Sequence, residues 1–238
     1  MCRILAVRSV RPVAPGPFLR AFALRCRGSK EYQGDGWGVA WREGGAWRTW
    51  RTVEPVWSKE PPDVPATTLF LAHARSAFRN EGVVVANNMP FVDGSLAFAF
   101  NGELRGVRLR APGETGAWRL LHLLRRFTDA AAGDVGAALR RLDAVVMARA
   151  EYVRALNVVA SDGDRVWVNS RWGEDPDYFT LWRASLGPPA GRVSVVASEP
   201  LDLPSGTTRS WEPVPNGVTE ELAGLAATPD GATRAAAP

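Results

Sequence analysis

An apolar run, Ile4-Leu5-Ala6-Val7, sits inside residues 3–10 and predicts a short opening strand, with Pro12, Pro15 and Pro17 ending any regular element. Apolar positions then recur at helical spacing over 18–27 as Phe18, Leu19, Phe22, Ala23 and Cys26, and Gly28 supplies a stop. Runs rich in Trp, Val, Phe and Leu predict strands at 36–42, 46–53, 67–74 and 95–101, divided by turns such as Glu43-Gly44-Gly45 and Asp93-Gly94. The helical period returns at 115–127 and 135–150. Strand-like runs follow at 152–159, 166–170, 178–183 and 193–198. Strands, a helical pair and further strands imply an α+β architecture, with helices layered on antiparallel sheets. Residues 1–225 are expected to form one domain, and the small, polar stretch 226–238 a disordered tail.

Composition narrows the class. With 238 residues, 46% of them apolar, the chain can bury one sizeable core. No basic-then-apolar leader opens it and no apolar stretch is long enough to span a bilayer, so a soluble, cytoplasmic protein without a membrane partner is expected. In a reducing compartment Cys2 and Cys26 should stay unpaired, and with His73 and His122 they form no ligand-like spacing, so neither a metal nor another cofactor is expected. The net charge of +4 could suggest a nucleic-acid partner. However, Lys30 and Lys59 are the only lysines among 29 basic residues, and the arginines are interspersed with acids; no aromatic-interleaved basic stripe appears, and no nucleic-acid partner is expected.

Cys2 carries the chemical promise. A methionine followed by so small a residue is normally removed, which would leave a terminal cysteine with an amine beside its thiol. The amine titrates near ~7.7–8.0 and the thiol near ~8.5, so nucleophile and base would share one residue. Cys26, on the apolar stripe of the first helix, reads as core.

Four segments acquire meaning together: Met1-Cys2-Arg3, Asp35-Gly36-Trp37-Gly38-Val39-Ala40, Ala72-His73-Ala74-Arg75 and Asn101-Gly102-Glu103-Leu104. In order and spacing they resemble the class II glutamine amidotransferase family, in its compact single-domain subgroup related to the ergothioneine-pathway γ-glutamyl amidohydrolase. Asn87-Asn88-Met89-Pro90-Phe91 and Ala197-Ser198-Glu199-Pro200-Leu201 with Trp211 add to the resemblance, which covers roughly residues 1–215. It implies the four-layer αββα N-terminal-nucleophile hydrolase sandwich of two antiparallel sheets.

The resemblance also implies a mechanism: Cys2 attacks the side-chain amide of glutamine or a γ-glutamyl compound and forms a thioester. Asn101 and Gly102, placed in an N-G turn, would stabilise the oxyanion. Arg75 would clamp the substrate carboxylate, Trp37 and Gly38 would wall the pocket, and His73 would be structural. Ammonia would go to water or to a separate synthase subunit. The family's ammonium-binding aspartate is replaced by Gly116, with Glu114 two residues away; Met89 replaces a usual histidine, and Trp118 a small or acidic residue. These departures bear on the substrate more than on thiol chemistry. They also motivate an alternative, a degenerate and non-catalytic binding or regulatory module.

Overall fold

The structure is a computed structural model that describes residues 1–77, 82–108, 110–187, 192–203 and 210–222. The tail expected at 226–238 lies outside the described residues.

The first strand, β1 (Arg3–Val13), leads into helix α1 (Gly16–Arg27). The strand runs past Pro12, which the sequence reading placed beyond its end. Residues 10–12 are exposed, and the register with β4 shifts between Arg8 and Val13, so proline's missing donor falls where the ladder is already irregular. Strands β2 (Trp37–Glu43), β3 (Ala46–Thr52) and β4 (Thr67–Ala74) follow. Next come β5 (Phe91–Asp93), β6 (Leu96–Arg105), α2 (Gly116–Ala130) and α3 (Val135–Arg149). The last part contributes β7 (Tyr152–Ser161), β8 (Val166–Ser170), the short turn α4 (Pro176–Phe179), β9 (Trp182–Leu186), β10 (Val193–Ala197), β11 (Glu212–Pro213) and β12 (Val218–Glu221).

Among the described residues these strands form two antiparallel sheets, ordered β11-β9-β10-β1-β4-β2-β3 and β12-β8-β7-β6-β5. Three apolar clusters show how the layers stack. Phe18, Leu19 and Phe22 of α1 pack on Leu5, Val7 and Phe70 of the larger sheet. Ile4, Ala6, Leu69 and Leu71 meet Ala97, Ala99, Val159 and Val168 between the sheets. Leu120, Leu121 and Leu124 of α2, with Leu139 and Leu142 of α3, cover Phe98, Leu156 and Val158 of the smaller sheet. The result is helix, sheet, sheet, helix pair, with alternate residues of β1 pointing into two different cores.

One expected strand begins late. Tyr178 and Phe179 lie in α4, because Asp175 takes a left-handed conformation (φ 48°) ahead of Pro176 and starts a helical turn; extended chain resumes at Trp182.

Candidate active site

Cys2 immediately precedes β1, the middle strand of the larger sheet. The pairing of Arg3 with Ala74 continues outward to bring Cys2 beside Arg75 and Ser76. Ser76 N–H lies 3.5 Å from the Cys2 sulfur, and the thiol points back to the Ser76 carbonyl at 3.7 Å. Burial pushes the Cys2 thiol up, against the opposing pull of the Met1 ammonium, the Ser76 N–H and the Arg75 guanidinium.

Arg75 is fixed from two directions. Its backbone N–H donates to the Gly36 carbonyl and its carbonyl accepts from Asp35 N–H, while the Asp35 carboxylate accepts from Ala77 N–H at 2.7 Å. The Asp35-Gly36 pair is thus a clasp on the end of β4. The guanidinium donates to the Gly82 carbonyl at 2.7 Å and reaches Asn88 Oδ1 at 3.4 Å.

Asn101 and Gly102 come from the other sheet. They lie within β6, opposite Asn157 and Leu156 of β7, and the turn expected at this pair is instead continuous strand. Glycine is required there by close approach, since a Cβ on Gly102 would stand 2.0 Å from the Ala155 carbonyl oxygen. Asn101 is wholly buried, and neither its Oδ1 nor its Nδ2 finds a partner among the described residues. Unpaired polar atoms so deep are costly unless something else completes them. His73 joins the two sheets at this point: its Nε2 donates to the Phe100 carbonyl at 3.2 Å, one residue before Asn101. Burial holds His73 down at about 3, so the ring is neutral.

A cavity of about 310 Å³ opens between these elements, and Cys2, Arg75 and Gly102 all line it. Its far wall is the N-terminus of α2, where Thr115, Gly116 and Ala117 face the space and Thr115 caps the helix by accepting from Trp118 N–H. Neither Trp37 nor Gly38 is among the described lining residues. Trp37 packs on Trp50, and a Cβ on Gly38 would stand 2.7 Å from the carbonyl of Met89, which does line the cavity. Gly38 therefore stands behind the wall, whereas Trp37 belongs to the core between α1 and the larger sheet. Glu114 is exposed and outside the lining, and Trp118 stacks on Phe91 at 3.9 Å.

Residues without a local sequence signal gather around the chain start. The Met1 ammonium pairs with Glu31, and the Met1 carbonyl accepts from Tyr178 Oη at 2.6 Å and from Gln33 Nε2. Gln33 is wholly buried and its Oε1 finds no partner among the described residues. Burial pushes the Tyr178 hydroxyl up to about 12, which keeps it a donor. Burial acts upward on Glu31 as well, but the Met1 ammonium and Arg154 outweigh it and hold this carboxyl below its ordinary value. Among the described residues no group of three or more His, Cys, Asp or Glu is placed to hold a metal ion, and no helix is long and apolar enough to cross a membrane.

Residues 1–174 match the family Glutamine amidotransferases class-II, and the chain belongs to that family. It is an enzyme of that class, with the N-terminal-nucleophile hydrolase fold. Its relatives include the γ-glutamyl-hercynylcysteine sulfoxide hydrolase of Mycobacterium tuberculosis, 29% identical over 187 residues, which are 76% of this chain and 72% of the relative. Among solved structures, the glutamine aminotransferase class-II domain protein from Silicibacter pomeroyi superposes with a TM-score of 0.57 at 18% identity, covering 94% of this chain and all of that one. The glutamine phosphoribosylpyrophosphate amidotransferase from B. subtilis superposes with a TM-score of 0.56 at 15% identity, covering 83% of this chain and 42% of that one.

Proposed function

We propose that the chain is a cysteine-dependent amidohydrolase that cleaves the side-chain amide of glutamine or a γ-glutamyl compound, after removal of Met1 frees the Cys2 amine. The observation that carries this reading is the convergence of Cys2, Arg75 and Gly102 on one cavity, with Asn101, whose carboxamide has no partner among the described residues, next to Gly102 in sequence.

The Cys2 thiol gives its proton to its own α-amine, and its sulfur attacks the amide carbon. The oxygen becomes an oxyanion, met by Asn101 Nδ2 and the backbone N–H of Gly102. Collapse breaks the C–N bond, and the α-amine returns the proton to the departing ammonia or amine. Water then attacks the thioester, releases the γ-carboxylate and restores the thiol. Without Met1, the Tyr178 hydroxyl and the Gln33 carboxamide remain beside the Cys2 amine. The carboxamide can then turn its Oε1, which has no partner among the described residues, toward that amine and orient it. Arg75 holds the α-carboxylate. Ammonia goes to water or to a separate synthase subunit.

The test is hydrolysis of glutamine and γ-glutamyl amides by protein whose intact mass shows loss of Met1. Turnover should be accompanied by an acyl adduct on Cys2 and vanish in Cys2→Ala, and Asn101→Ala should lower kcat by about 10²–10³. A chain that retains Met1 yet turns over, or Cys2→Ala with full activity, would overturn the reading.

A further inference from the structure

The proposed reading places the α-carboxylate at Arg75, and the next question is what receives the α-nitrogen. A free ammonium in a partly desolvated cavity calls for a carboxylate. Among the described lining residues the only carboxylate is Glu103, and it is already engaged: Arg105 Nε donates to its Oε1 at 2.6 Å, and Arg154 Nη1 stands 3.8 Å from its Oε2. A neutral acceptor is also among the described lining residues. Asn87 lines the cavity, is nine-tenths buried, and donates from Nδ2 to the Gly82 carbonyl at 3.1 Å. That bond fixes the orientation of its carboxamide, and Oδ1 is left with no partner among the described residues. Arg75 holds the same Gly82 carbonyl, so the carboxylate clamp and the neutral acceptor stand side by side on one anchor. Two substituents of a single α-carbon could meet them together.

A carboxamide oxygen suits an amide N–H, which needs an acceptor but no counter-charge. Beyond it the wall is apolar, formed by Met89, Phe100, Leu104, Ala117 and Leu120. Gly116 faces this space, and a Cβ built there meets nothing within 4 Å. We infer that the substrate's α-nitrogen is acylated: the site takes an N-acyl or peptidyl glutamine, or the corresponding γ-glutamyl amide, with the acyl group lying along the apolar wall over Gly116. This rests on the amidohydrolase reading above and adds its substrate class.

The experiment compares alkylation of Cys2 in the Met1-free full chain by 6-diazo-5-oxonorleucine and by its Nα-acetyl derivative. In both, the thiol proton passes to the diazo carbon, sulfur bonds to that carbon and dinitrogen leaves. The acetylated reagent should label about tenfold faster or more. Gly116→Asp, which places a carboxylate in open space in the first turn of α2, should reverse the order. Equal rates, or faster labelling by the free amino acid, would overturn the inference and leave the thiol chemistry standing. No labelling by either reagent, in folded protein whose Cys2 still reacts with iodoacetamide, would overturn the amidohydrolase reading and this inference with it.

Discussion

His73 shows how much a single side chain can tie together. It is wholly buried on β4, pairs across β1 with Ile4 and across β2 with Gly38, and bonds to the second sheet next to Asn101. Its neutrality has a consequence for stability. Above pH ~6.5 the ring is neutral in folded and unfolded chain alike and pH has no effect through it. As pH falls below that value the unfolded chain takes up a proton that the folded chain refuses until about 3, so stability is lost with acidification, at up to ~1.4 kcal/mol per pH unit. Urea unfolding between pH 6.5 and 5, above the main carboxylate range, should show a loss of about 1.6 kcal/mol, and His73→Asn should flatten it. The same fall in the variant would mean that another group is responsible. Nothing around His73 in the sequence announces this burial; the H-x-R pattern marks the strand end, but the contact with Phe100 is 27 residues distant.

At the scale of elements, the helix pair tests which contacts serve the site. Thr115 caps α2 and Asp134 caps α3, each accepting a hydrogen bond from the first turn, but only Thr115 lines the cavity. Thr115→Ala and Asp134→Ala should each cost about 1 kcal/mol in thermal unfolding. Only the former should change KM for the amide substrate, and a KM shift in both would show that the pocket senses general loosening. Both helices were legible from their apolar period, as were β2, β3 and β4, whose strand runs are bounded by turns. The misplaced boundaries share a cause: they depend on neighbours distant in sequence. Pro12 is tolerated because β1 is already out of register with β4 there, and Tyr178 with Phe179, strand-like by composition, enter a helical turn that Asp175 initiates. Gly102 offers the converse case. Its identity was read as a turn requirement, whereas the strand of β7 packed against it sets the need. Cys2, Arg75, Asn101 and Gly102 were visible as a family pattern; Asn87 and Glu103 lay inside its segments without a role, and Gln33 and Tyr178 lay outside it, since their partners or their lack of partners exist only once the sheets stack.

For the whole molecule, the central place of β1 has a consequence in time. Its neighbours are β4 and β10, and the latter pairing, Leu5 with Ala197, spans almost the full chain. A nascent chain therefore cannot complete its larger sheet until residue 197 has left the ribosome, and on the proposed reading Met1 is open to an aminopeptidase through that interval. Once the sheet closes, the terminal amine is held by Glu31 and the adjoining carbonyl by Gln33 and Tyr178. Folded protein that still carries Met1 should resist trimming by added methionine aminopeptidase, whereas the same protein treated while unfolded and then refolded should lose the residue; equal trimming of both would refute this order. On the proposed reading, a chain that folded before it was trimmed would keep Cys2 capped.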